Sequence, residues 1–193
     1  MLRRQEKESL HPASLEFLRR MEAAAERMDF LITDVLNYCK TVQRELRLGS
    51  VDVEELLGDL LKSCQYRADI TLEGIFPLVV ANKAGLAQCF SQLLANSVKF
   101  VPTGVRPKVR IWAEKKEGTV RVWVEDNGTG IPKGCGEKIF ALFQRMHGRQ
   151  YKGTGMGLAI VRKLVERMGA AVGVESEVGK GSRFWIELKA FTT

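Results

Sequence analysis

The chain has 193 residues, 45% of them apolar, which suits a folded protein of one full domain with an appendage, or of two small domains. No apolar run nears the ~20 residues of a membrane span, and Met1-Leu2-Arg3-Arg4-Gln5-Glu6-Lys7 leads into no signal core, so a cytoplasmic protein without a membrane segment is expected. The net charge of +7 suits phosphate, an acidic protein partner or nucleic acid, and with no nucleic-acid motif in the chain the last is set aside.

Residues 13–48 read as one long helix. Leu18, Met21, Ala25, Met28, Ile32, Val35, Cys39, Val42 and Leu46 are spaced alternately three and four apart, a heptad seam with charge on the other faces. At ~1.5 Å per residue the seam runs roughly 43 Å. So narrow an apolar stripe needs a partner helix, either a second copy of itself or its own domain. Gly49-Ser50 then breaks the helix. A short helix follows near Val53 to Cys64, and Ile70 to Leu72 and Pro77 to Ala81 read as strands. Asn82 caps a helix that runs to about Val101 and is stopped by Pro102 and Gly104.

Val105 to Glu114 and Thr119 to Asp126 read as a hairpin around Lys115-Lys116-Glu117-Gly118. Residues 127–152 are rich in Gly, Lys and Arg, with a helical piece at Glu137 to Phe143. Leu158 to Met168 is a helix entered from a glycine-rich turn. Ala171 to Glu175 and Ser182 to Leu188 close the chain as strands. Segregated helices beside a hairpin-rich sheet predict an α+β fold. Cys39, Cys64, Cys89 and Cys135 form no C-x-x-C pair and read as reduced thiols.

Three places carry candidate chemistry. On the helix around Asn96, Leu86, Phe90, Leu93, Ser97 and Phe100 form one core stripe, and Leu94, Val98 and Val101 a second. Gln88, Gln92, Asn96 and Lys99 form a third stripe, polar but without acid. It suits either a solvated face or an anionic ligand with its cation, since Asn offers a neutral oxygen to Mg²⁺ and Lys a point charge to phosphate. In the strand before Asp126, Val120, Val122 and Val124 alternate with Arg121, Trp123 and Glu125, so Asp126 falls on the valine face. A carboxylate there needs donors, unless it caps the Asp-Asn-Gly turn. Gly153-Thr154-Gly155-Met156-Gly157-Leu158 opens a helix whose first N–H groups suit an anion. The basic run before it, Arg145, His147, Arg149 and Lys152, reads as an approach to phosphate or as a solvated loop.

In this order the motifs resemble the nucleotide-binding boxes of sensor histidine kinases. Leu93-Leu94-Ala95-Asn96-Ser97-Val98-Lys99-Phe100 is similar to the N box. Asp126-Asn127-Gly128-Thr129-Gly130-Ile131-Pro132 is similar to the G1 box, and Ile139-Phe140-Ala141-Leu142-Phe143-Gln144-Arg145 to the F box. Gly153 to Leu158 is similar to the G2 box, and Gly179 to Phe184 to the closing glycine segment. The resemblance spans residues 50–189, and from Phe140 to Trp185 it is strongest with kinases of phytochrome-like sensory proteins.

The resemblance implies a two-layer α/β sandwich of the Bergerat type, with a mixed, mostly antiparallel sheet covered by helices. It would occupy residues 50–193, behind a partial dimerisation segment at residues 1–49. It implies ATP and Mg²⁺ as cofactors. Asn96 would hold Mg²⁺, Lys99 would meet the phosphates and Arg145 would lie near the terminal one. Asp126 would accept from the adenine amino group, with Gly128 and Gly130 shaping that pocket and Ser182 beside it. Ile131, Thr154, Met156 and Leu158 fall inside the matching boxes as ATP-binding positions. Gly153, Gly155 and Gly157 would hinge a lid over residues 132–152, anchored by Phe140 and Phe143. The partners implied are a second copy, through the Leu18–Leu46 helix, and a response regulator.

Two positions depart from the pattern. The family's H box, a His followed by an acid, has no counterpart: the only histidines are His11 and His147. His11 precedes Pro12, and Ile32-Thr33-Asp34-Val35-Leu36-Asn37-Tyr38 resembles the end of the second hairpin helix, placing His11 in or near the hairpin loop. The phosphoacceptor is therefore expected outside this chain, or the protein is a non-catalytic ATP-binding regulatory module. In ATP-hydrolysing relatives of the fold a Glu stands four residues before the Mg²⁺ ligand; here that place is Gln92, and an amide takes no proton from water.

Overall fold

The computed structural model describes residues 11–43, 45–63, 68–144 and 154–192. A long helix, α1 (Pro12–Gln43), comes first, and a short strand, β1 (Gly49–Val51), precedes the second helix, α2 (Val53–Ser63). Strands β2 (Asp69–Glu73) and β3 (Val79–Ala81) lead into α3 (Lys83–Lys99). The hairpin β4 (Lys108–Lys116) and β5 (Thr119–Asp126), the helix α4 (Gly157–Arg167), and the strands β6 (Ala171–Glu177) and β7 (Gly181–Lys189) complete the order. None of the described helices is long and apolar enough to cross a membrane.

The main sheet has the order β2-β4-β5-β7-β6, with β2 parallel to β4 and the other neighbours antiparallel. It is the mixed, mostly antiparallel sheet of the α+β reading. One face is apolar: Val109, Ile111, Val120, Val122, Val124, Phe184, Ile186 and Leu188 are buried against Leu86, Phe90, Leu93 and Leu94 of α3 and Ile160, Val161 and Leu164 of α4. Burying each of these large side chains is worth ~1.5–3 kcal/mol. The surface ion pairs, such as Lys83–Glu55 at 3.1 Å, add about 0–1 kcal/mol each. The core therefore decides the fold.

The other face carries no helix in the described residues. Trp112, Trp123 and Trp185 lie directly opposite one another across β4, β5 and β7. Trp112 and Trp123 stack at 5.8 Å, Trp123 meets Trp185 edge-on at 6.5 Å, and the Arg121 guanidinium lies 4.3 Å from the Trp185 ring. Arg121 is fixed in turn by Glu187 at 2.7 Å. Three rings with arginines over them shield the sheet without a second layer of helices.

Asn82 caps α3 as expected: its side-chain oxygen accepts the Gly85 N–H at 2.8 Å. Its amide also donates to the Arg47 carbonyl at 2.9 Å. That bond belongs to a departure from the sequence reading. Helix α1 ends at Gln43 instead of residue 48, and Gly49–Val51 is a strand antiparallel to β3 rather than a break. Leu46 leaves the heptad seam to pack against the core. The hairpin is also tighter than expected, with Lys116 paired to Thr119 and Gly118 at φ +71°. Strand β4 starts three residues later than read, at Lys108, whose N–H donates to the Asn127 side chain at 2.8 Å.

Candidate functional site

A cavity opens between α3, the end of β5, the loop after it and the start of α4. Gln92, Asn96, Lys99 and Phe100 line it from α3, and Asp126, Thr129, Gly130 and Ile131 from the β5 loop. Thr154, Gly155, Gly157 and Leu158 line it from the α4 entrance, and Ser182 and Phe184 from β7. The polar stripe of α3 is thus a cavity wall over Gln92, Asn96 and Lys99. Phe100, read from sequence as core, is half-buried and faces the same space.

Asp126 marks one end. It is buried on the valine face of β5, as its phase requires. Its Oδ1 accepts the Gly128 N–H at 2.9 Å and the Ser182 N–H at 3.2 Å. The Ser97 hydroxyl, 3.0 Å from the Leu93 carbonyl, lies 3.5 Å from Oδ2. Burial pushes the Asp126 carboxyl above its ordinary value, against the pull of these donors, and the nearby Glu125 adds to the rise. The result is an acceptor fixed at the cavity wall with a remaining lone pair for a ligand amino group.

Gly130 holds φ +72°, and a Cβ there would stand 2.0 Å from the Glu177 carbonyl oxygen. The loop therefore lies flat on the β6–β7 turn, tied by Gly179 N–H to the Thr129 carbonyl at 2.9 Å. Ser176 is a residue the sequence did not single out. Its hydroxyl oxygen accepts the Ile131 N–H at 2.8 Å, donates to the Gly181 carbonyl at 2.8 Å, and lies 2.9 Å from the Ser182 hydroxyl. A serine near the end of an exposed strand carries no local signal for such a role.

The other end is polar. The Gln92 amide oxygen lies at the first residue of α4, where a Cβ on Gly157 would meet it at 2.6 Å. The first turn of α4 presents its N–H groups beside Thr154 and Gly155. Met156 is buried beneath the turn, and its N–H lies 3.4 Å from the Thr154 hydroxyl. Gly128 and Met156 thus support the walls without lining the cavity. Among the described residues no three acidic, His or Cys side chains gather as a metal cluster. A divalent cation at Asn96 would rest on that amide oxygen and on ligand oxygens, the mode typical of Mg²⁺.

Arg145 and Gly153, together with His147, Arg149 and Lys152, lie outside the described residues. Of the two expected anchors in the F-box segment, Phe140 is buried and meets Phe184 edge-on at 6.5 Å. Phe143 is instead exposed, with φ +62°. The helical piece shrinks to one 3₁₀ turn, Lys138–Phe140, so only Phe140 is carried inward. Two further lining residues, Phe30 and Asp34, come from α1.

Residues 81–192 match the family described as histidine kinase-, DNA gyrase B- and HSP90-like ATPase. The chain is 36% identical over 187 residues to the phytochrome-like protein Cph1 of Synechocystis sp., covering 94% of this chain and 25% of that protein. It is 35% identical over 199 residues to the sensor histidine kinase AruS of Pseudomonas aeruginosa, covering 94% and 20%. The chain thus spans a quarter or less of the length of these relatives. Among solved structures, full-length ShkA in complex with AMPPNP matches with a TM-score of 0.72 and 29% identity, over 96% of this chain and 41% of that one. The catalytic domain of the histidine kinase ThkA matches with a TM-score of 0.62 and 25% identity, over 75% and 97%.

Proposed function

The chain belongs to the histidine kinase-, DNA gyrase B- and HSP90-like ATPase family, as the ATP-binding catalytic domain of sensor histidine kinases, and from this we propose that it transfers the γ-phosphoryl group of ATP to a histidine outside the chain, for relay to a response regulator. The observation that supports this reading is one cavity holding both halves of a nucleotide site. It has the buried acceptor Asp126 beside Ser182 at one end, and Asn96, Lys99 and the α4 entrance at the other.

In this reading the adenine amino group donates to Asp126, and Ile131 and Phe184 cover the ring. The Thr154–Leu158 turn receives the phosphates with its N–H groups, and Lys99 adds a point charge. Asn96 would hold Mg²⁺, which would supply neutralisation of phosphate charge. An acceptor imidazole nitrogen attacks the γ-phosphorus, and the bond to the bridging oxygen breaks with its electron pair leaving on ADP. The imidazole then loses its N–H proton to solvent. Such transfer needs positioning and charge neutralisation rather than a base, which is compatible with Gln92.

In this reading His11 is not the acceptor. It precedes α1, and its Nδ1 accepts the Ala13 N–H at 3.3 Å. The proposed division is residues 1–49 as dimerisation segment and residues 50–193 as catalytic domain. A homodimer would pair the apolar seam of α1, where Met21, Met28, Ile32, Val35 and Val42 are exposed.

Calorimetric titration of MgATP into the chain, Asn96→Ala and Asp126→Asn tests the site: binding weakened at least tenfold in both variants is expected. Undiminished affinity in both would sink the assignment. The lack of an H box favours a second reading, an ATP-binding dimerisation module without transferase activity. Radiolabelled ATP, with and without an H-box hairpin added in trans, separates the two: label on the hairpin histidine supports the kinase, and no transfer in either case supports the module.

A further inference from the structure

Phe30 and Asp34 stand one turn apart on α1 and line the same cavity as Asn96 and Lys99. The contact is specific. The Asp34 carboxylate accepts the Thr154 hydroxyl, at the glycine-rich entrance to α4. A second clasp lies two turns further along α1, where the Arg167 guanidinium at the end of α4 donates to the Thr41 carbonyl. Thr41 itself is buried there. Helix α1 is therefore fastened to α4 at both ends of the shorter helix, and its acidic side chain is set at the polar end of the cavity.

That place is wrong for a carboxylate if phosphate is to share it. The α4 entrance offers N–H groups and a helix dipole that favour an anion. Asp34 brings a fixed negative charge to the same turn and takes up the Thr154 hydroxyl, a donor that a phosphate oxygen would use. Like charges brought together in a cavity wall disfavour one another.

We propose that the Asp34–Thr154 contact is an autoinhibitory latch, which holds helix α1 across the phosphate end of the nucleotide site so that helix docking and nucleotide binding oppose each other. The proposal rests on the nucleotide reading of the cavity. Because the coupling is reciprocal, a nucleotide with phosphates releases α1 from α4 by the same factor by which docked α1 weakens the nucleotide. The dimerisation seam lies on this helix, so occupancy of the pocket is passed to the α1 surface without any other moving part.

The test uses the full 193-residue chain, with ADP and adenosine as probes in calorimetry and hydrogen–deuterium exchange over residues 30–41 as a second readout. Asp34→Ala is expected to tighten ADP by about fivefold or more and to leave adenosine, which has no phosphate, within twofold. Asp34→Asn, which removes the charge but keeps an acceptor for Thr154, falls between. Arg167→Ala, which opens the distant clasp without touching the cavity, tightens ADP in the same direction. Saturating ADP accelerates exchange in residues 30–41 of the parent chain. Unchanged or weaker ADP binding in both Asp34→Ala and Arg167→Ala overturns the latch while leaving the nucleotide reading intact, as does exchange that ADP does not alter. Equal tightening of adenosine overturns the assignment to the phosphate end. Binding of neither probe by parent or variants overturns the nucleotide reading, and the latch with it.

Discussion

Gly181 lies against the main chain of Asp126, so closely that a Cβ on Gly181 would stand 1.9 Å from the Asp126 carbonyl oxygen. The glycine also holds φ +86°. It sits at the first position of β7, and the next residue, Ser182, sends its N–H to the Asp126 carboxylate. The backbone of one strand end therefore sets the position of the side chain at the other.

Gly181→Ala forces these two strand ends apart. Strain at such a backbone position costs ~1–3 kcal/mol, and the contact with main chain leaves no flexible neighbour to yield. Urea unfolding should show a loss of about 2 kcal/mol, with adenosine affinity falling in step because Asp126 moves. A variant with parental stability and affinity would show that the loop after β5 absorbs the displacement.

The buried carboxylate gives stability a pH dependence of known sign. Burial holds the Asp126 carboxyl above its ordinary value of 3.8 in the folded protein. Below about that pH both states are protonated and its contribution is at its most favourable. As pH rises through the window between the ordinary and the folded value, the unfolded chain releases the proton first, and folding loses stability. Asp126→Asn removes this titration. The stability of the parent minus that of the variant should therefore fall as pH rises above the ordinary value of 3.8, read from urea unfolding at each pH. A difference that rises with pH would mean that the donors on Asp126 outweigh its burial.

The cysteines should separate by reactivity. Cys89 is fully buried on α3, and burial pushes its thiol up to about 12, whereas Cys39 is exposed on α1. The thiolate is the reactive form. Iodoacetamide at pH 7.5 should modify Cys39 within minutes wherever the α1 seam is unpaired and leave Cys89 intact until denaturant is added, as peptide mass spectrometry would record. Early modification of Cys89 would reveal local opening of α3 beneath the cavity.

The elements that sequence showed well are those with strong local rules. Strand β5 has the read boundaries because three valines alternate with larger polar and aromatic residues. Helix α3 starts where Asn82 can cap it. Strand β1 was hidden because Gly-Ser-Val has no pattern of its own and becomes a strand only by pairing with β3. The end of α1 was overrun because Leu46 keeps heptad phase although its side chain packs on the core. At the cavity, Asn96, Lys99, Asp126 and Ser182 were legible through their boxes. Phe30 and Asp34 were not, since the face of α1 that meets α4 is decided by packing between elements distant in sequence. Phe143, which the resemblance implies as a second anchor, lies beyond the 3₁₀ turn that ends at Phe140 and is exposed among the described residues.

All three tryptophans of the chain stand in the one stack on the outer face of the sheet, on the side away from the cavity. Their emission is therefore an optical gauge of the sheet and nearly blind to what the cavity holds. The two parallel indoles, 5.8 Å apart, are close enough for their electronic transitions to couple, so near-ultraviolet circular dichroism carries a paired-band signature of strands β4 and β5 in register. Ligand occupancy and sheet integrity thus have separate spectroscopic channels in the unlabelled protein.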